Sequence, residues 1–72
     1  MYFSMHQNKV FYAIYEDYYL SVGLFKTSTH IEQVIGTYAV ELKVSRCIED
    51  GVEITKNEFN DVLSKAKVRL EL

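Results

Sequence analysis

Few side chains in this sequence could perform chemistry, and they are scattered. The 72-residue chain has one cysteine, Cys47, and two histidines, His6 and His30. A thiol nucleophile needs an oriented base to take its proton, and neither histidine lies near Cys47 in sequence. With no second cysteine, neither an intrachain disulfide nor a cysteine-based zinc site can form. A lone thiol suits a reducing compartment and reads as a small buried apolar residue. The histidines lack metal-ligand spacing with each other and with nearby carboxylates. Glu49 and Asp50, just before Gly51, read as a turn rather than an acid pair. The glycines are isolated from one another, so no loop cradles a phosphate. These residues predict no catalytic site, no cofactor, no metal and no small-molecule substrate.

Recognition chemistry is better represented. The stretch FYAIYEDYYLSVGLF, residues 11–25, holds four of the six tyrosines and two of the four phenylalanines of a chain without tryptophan. Glu16 and Asp17 sit in its middle. Aromatic rings dominate the energetics of protein interfaces, and carboxylates beside them favour a basic partner. The formal net charge of −2 provides no overall attraction to nucleic acid.

The elements that must position these residues fit one domain spanning residues 1–72. Half the residues are apolar (49%) and a quarter charged (25%), which excludes a disordered segment. A chain this short buries only roughly 60% of the surface its unfolded form exposes. No apolar run is long enough to cross a bilayer. The N-terminus has no basic region followed by an apolar one, so no secretion signal is read. Together these predict a cytoplasmic protein.

Lys9 to Phe25 predicts an antiparallel β-hairpin, because valine, isoleucine, tyrosine and phenylalanine favour a pleated strand. A one-residue change of loop flips one strand's faces. A loop of Glu16, Asp17 and Tyr18 places Val10, Tyr12, Ile14, Leu20, Val22 and Leu24 on one face. Phe11, Ala13, Tyr15, Tyr19, Ser21 and Gly23 then share the other. Only this register sorts the faces, and it is the one expected. TSTHIEQVIG predicts a short helix capped by Ser28 or Thr27, with Ile31, Val34 and Ile35 buried and Gly36 as its left-handed C′ residue. Residues 38–48 read either as a strand or as a helix with Val40, Val44, Cys47 and Ile48 inward. The helical pattern runs further, and Gly51 is placed to end it. Val52 to Ile54 is a short extended piece. Thr55 to Glu58 is a capping box, followed by a stripe of Phe59, Val62, Leu63 and Ala66. Past Ser64, alternation can turn the chain into a short C-terminal strand. The expected class is α+β, an N-terminal antiparallel hairpin packed on two or three short helices.

VGLFKTSTHIEQVIGTYAVELKVSRCIEDG resembles a helix-turn-helix unit over about half the chain. Gly36 takes the place of the turn glycine, and Val44-Ser45-Arg46-Cys47-Ile48 that of the recognition-helix run. The strand leading into the first helix is similar to that of modular helix-turn-helix domains of phage nucleases. It is also similar to that of small phage accessory proteins. The resemblance implies a DNA-binding regulator of a phage or mobile element, acting as a dimer. Lys43 would contact phosphate and Arg46 a guanine edge, with Ser45 between them.

A second expectation is a stoichiometric inhibitor or adaptor, of the anti-defence, anti-CRISPR or anti-repressor type, that binds a basic host protein. Its interface would be the hairpin's outer face and tip: Phe11, Tyr15, Glu16, Asp17, Tyr18 and Tyr19. Neither expectation involves an enzyme or a membrane.

Overall fold

The computed structural model describes residues 1–72. In chain order the elements are β1 (Tyr2–Met5), β2 (Val10–Ile14), β3 (Tyr18–Leu24), β4 (Thr29–Ile35), α1 (Thr37–Asp50), β5 (Val52–Glu53) and α2 (Lys56–Arg69). The class is α+β, as the pattern of residues implies, with the β2–β3 hairpin at its centre and two helices around it. All strand pairs are antiparallel, in the order β4-β3-β2-β1-β5.

The middle of the sheet is buried on both faces, and this overturns the expected hairpin register. Every residue of β2 from Val10 to Ile14 is buried. Ile14 pairs with Tyr19, Ala13 with Leu20 and Phe11 with Val22, so the loop is Glu16-Asp17 alone. On one face Val10, Tyr12 and Ile14 join Phe3 and Met5 of β1 against Val40 and Cys47 of α1. On the other, Phe11, Ala13 and Val22 pack against Phe59 and Ala66 of α2. A central strand covered on both sides is a continuous apolar run. The rule of one apolar and one polar face therefore had nothing to sort. The tight turn has no positive φ at Glu16 or Asp17, so it is not the type I′ turn that usually closes such a loop. A third strand braces it instead: the Gly36 N–H donates to the Asp17 carbonyl at 2.8 Å.

The predicted short helix over TSTHIEQVIG is strand β4, paired with β3 along its whole length. Thr29, Ile31, Val34 and Ile35 are β-branched, and such side chains lose χ1 freedom in a helix but pack well on a pleat. A helix of about two turns would also gain little over its nucleation cost, whereas the open edge of β3 offers a full ladder. Gly36 is accordingly not a helix C′ residue. It is the N-cap of α1, with φ 138° and ψ 133°, a conformation only glycine adopts freely. Ile35 is 73% exposed rather than buried.

α1 forms where the helical pattern ran further, and it buries Val40 and Cys47 with Val44 half-buried. Ile48, expected inward, is exposed. Gly51 ends the helix, its N–H donating to the Cys47 carbonyl at 2.8 Å. α1 thus carries the chain from the β4 edge across one face to β5, at the opposite edge. α2 then returns over the other face. Its capping box is complete: Thr55 Oγ1 accepts from the Glu58 N–H, and a Glu58 oxygen accepts from the Thr55 N–H, each at 3.1 Å. Phe59, Val62, Leu63 and Ala66 face the sheet as the stripe predicts. The expected C-terminal strand is absent because α2 runs on to Arg69. Once nucleated, a helix gains about one backbone bond for each residue added.

One glycine of the sheet is required by close approach. The His30 imidazole of β4 lies directly over Gly23 of β3, where any added Cβ would collide with the ring. Ser21 Oγ lies 3.3 Å from His30 Nε2 on the same face.

Candidate functional site

The residues singled out for recognition fall into three places. The first is the β2–β3 turn. Tyr15 and Tyr18 flank it and stack ring on ring, with centroids 4.7 Å apart and planes inclined by 21°. Tyr15 is 38% exposed and Tyr18 half-buried. Glu16 and Asp17 are exposed between them, and neither carboxylate belongs to an ion pair; the chain's two salt bridges are Arg46–Asp50 and Asp61–Lys65. Tyr18 is paired across the sheet with Ile35 of β4. Partial burial first, and then the neighbouring Tyr2 and Tyr18 phenols, raise the Tyr15 hydroxyl above its ordinary 10.0. Tyr15 is therefore a neutral hydrogen-bonding phenol at physiological pH, beside the Glu16 and Asp17 carboxyl groups.

Phe11 and Tyr19 do not belong to this surface, which corrects the expected grouping. Phe11 is buried under α2. Tyr19 packs on the α1 side, its ring 5.9 Å from that of Tyr12 in an edge-on arrangement. The two-residue turn sends Tyr19 to the opposite face from Phe11 and Tyr15. Of the six residues proposed from sequence, Tyr15, Glu16, Asp17 and Tyr18 remain together as a tip.

The second place is α1. Lys43 is half-buried, its Nζ 4.5 Å from the Tyr12 ring centroid and 5.4 Å from that of Tyr19. Nζ also lies 3.5 Å from the Tyr12 hydroxyl. Its stem covers the edge of the α1-side core while its charge rests on two aromatic faces, an arrangement worth about 0.5–2 kcal/mol. Ser45 and Arg46 are exposed, and Arg46 Nε is 3.8 Å from Asp50. Lys43 and Arg46 line a shallow groove of about 250 Å³ with Tyr19, Ala39 and Leu42. The segment expected to form the first helix of a helix-turn-helix pair is strand β4, so α1 has no preceding helix. Sequence reasoning missed Tyr38, 71% exposed, and Leu42, which lie on α1 outside its buried stripe. Their i, i+4 spacing was a readable signal of a second apolar face.

The third place is the thiol. Cys47 is fully buried, with Sγ 3.7 Å from Met5 Sδ. Burial pushes its pKa up, and the opposing pull of Lys43 is the smaller effect. A reactive thiol needs the reverse, exposure and a lowered pKa. No three histidine, cysteine, aspartate or glutamate side chains gather where they could hold a metal ion. No helix is long and apolar enough to cross a membrane.

The chain matches no protein-family model, no curated protein sequence and no solved structure.

Proposed function

We propose that this chain is a small non-enzymatic binding protein of the cytoplasm that engages a basic protein through the acidic, aromatic tip of its central hairpin. The observation that carries this reading is the Tyr15–Tyr18 stack beside Glu16 and Asp17, which have no cationic partner of their own. Tyrosine pairs of this kind bury large area on binding at low entropic cost, and the hydroxyls remain hydrated when free. Two unpaired carboxylates steer the encounter towards a positive surface. A nucleic-acid-binding protein offers such a surface, so the tip suits an inhibitor or adaptor directed at one.

The test compares capture from a cell lysate by the wild-type chain, by Tyr15→Ser with Tyr18→Ser, and by Glu16→Lys with Asp17→Lys. A basic protein retained by the first and lost by both variants supports the reading. Loss of a tyrosine hot spot costs about 2 kcal/mol or more, roughly a 30-fold drop in affinity. A protein captured equally by all three chains overturns it. The alternative, DNA contact through Lys43, Ser45 and Arg46, rests on the groove that Lys43 and Arg46 border. It predicts a gel shift on random DNA that collapses with salt and disappears in Arg46→Ala.

A further inference from the structure

β4 is the long open edge of the sheet, and the neighbouring ladder shows which of its backbone groups are free. The Gly36 N–H donates to the Asp17 carbonyl at 2.8 Å, and the Phe25 N–H donates to the Ser28 carbonyl at 2.9 Å. Bonded and non-bonded pairs alternate along an antiparallel ladder. His30, Glu32 and Val34 therefore turn their N–H and C=O groups towards β3. Thr29, Ile31, Gln33 and Ile35 turn theirs outward, where β4 has no further strand neighbour. A row of donors and acceptors at this spacing is matched by another extended backbone.

We propose that the β4 edge pairs antiparallel with β4 of a second copy of the chain, about a two-fold axis at Gln33. The two five-stranded sheets would then run on as one. This inference is independent of the hairpin tip.

The sequence of the edge selects both the partner and the register. Edges that must stay single are usually short, or carry charged side chains (lysine above all), proline or a bulge; the one acidic side chain of β4 is Glu32. THIEQVI is seven residues long, has neither lysine nor proline, and pairs with β3 without a bulge. In a two-fold pair, outward-turned residues must meet outward-turned residues. Full overlap of the strands would put Glu32 opposite Glu32 of the second copy, and like charges directly opposite destabilise a sheet. An axis at Ile31 would place Ile35 opposite Thr27, outside the strand, and leave it uncovered. With the axis at Gln33, Ile35 faces Ile31 of the second copy, twice by symmetry, and Glu32 faces Val34. Ile31 already packs on the α2-side core, so this register extends that core over Ile35, which is 73% exposed in the single chain. A domain that buries only roughly 60% of its unfolded surface stands to gain from such a partner.

Sedimentation equilibrium on the full chain tests the pairing. The mass should rise with concentration from 8.4 kDa towards twice that value. Gln33→Pro removes an outward N–H and no donor of the β3 ladder, so it should keep the circular dichroism spectrum and abolish the dimer. Ile35→Asp should also abolish it; that exposed side chain contributes little to the fold, so this variant decides if the proline unfolds the chain. Register is read by oxidative cross-linking. Gln33→Cys should link two copies, because bonded pairs have Cα atoms about 5.5 Å apart, within disulfide reach. Glu32→Cys should not link. A mass of 8.4 kDa at every concentration overturns the proposal and leaves the edge to a strand from a different protein. A dimer that survives both Gln33→Pro and Ile35→Asp also overturns it, and linking through Glu32→Cys alone overturns the register.

Discussion

Cys47 shows how one residue ties stability to pH without taking part in chemistry. Its thiol is fully buried beside Met5, and burial raises its pKa above the ordinary 9.0. Above pH 9.0 the unfolded thiol loses its proton while the folded one keeps it. The native state then binds more protons than the unfolded state, so stability falls as pH rises through this window. Below it the contribution is complete. The slope attributable to this group is at most about 1.4 kcal/mol per pH unit. Thermal unfolding of the wild type and of Cys47→Ala, followed from neutral pH upward, should show the gap between them narrowing once the pH passes 9.0. Tyr15 acts with the same sign above 10.0 but is common to both proteins, so it cancels in the comparison. A constant gap would mean that the thiol is not desolvated as the packing indicates.

Among the elements, α2 was the most legible in the sequence and β4 the least, and the difference is one of range. The start of α2 is written in adjacent residues, a threonine and a glutamate three apart, and its inner face in a stripe that needs no knowledge of the sheet. Thr55→Ala should therefore cost about 1 kcal/mol, the usual worth of a cap, read as a lower urea midpoint with an unchanged slope. If the midpoint does not move, the reciprocal bonds with Glu58 add nothing in water. In β4, Ile31, Val34 and Ile35 satisfy a helical stripe, while Thr29, Ile31, Gln33 and Ile35 satisfy a strand. The open edge of β3, a partner outside the segment itself, decides between them. β1 was not read at all: Tyr-Phe-Ser-Met is only four residues long, and the tight connection to β2 turns through His6, Gln7 and Asn8 at positive φ, with no glycine to signal it. The hairpin register failed for a related reason: its two faces are distinguished only by which helix covers each. The candidate site divides along the same line. Tyr15 and Tyr18 were identified as surface residues because their place beside a turn is local, whereas Phe11 and Tyr19 were misplaced because the helices decide their fate.

At the scale of the whole molecule, the sheet separates two cores that share backbone but no buried side chain. Phe3, Met5, Val10, Tyr12, Ile14, Val40 and Cys47 form one, and Phe11, Ala13, Val22, Phe59 and Ala66 the other. Side chains alternate across β2, so neighbours in sequence such as Tyr12 and Ala13 point into different cores. Two consequences follow from physics that pull in different directions. Because every strand hydrogen bond serves both cores, neither can be lost alone, and the chain should unfold in one step. Because packing is short-ranged, small truncations in different cores should not sense each other. Ile14→Val on the α1 side should cost about 0.5–1.5 kcal/mol. Phe59→Leu on the α2 side, at a residue 1% exposed, should cost about 1 kcal/mol or somewhat more, from lost apolar burial and imperfect repacking. Independent sites add within about 0.3–0.5 kcal/mol, so the double variant should fall by the sum within that margin. Urea unfolding of the four proteins, followed by both tyrosine fluorescence and far-ultraviolet circular dichroism, tests both statements together. Coincident transitions with additive losses fit one sheet serving two independently packed cores. A coupling above about 1 kcal/mol would show that the strands shift to relieve strain from one face to the other. Transitions that separate by probe would show that one helix detaches while the other holds the sheet.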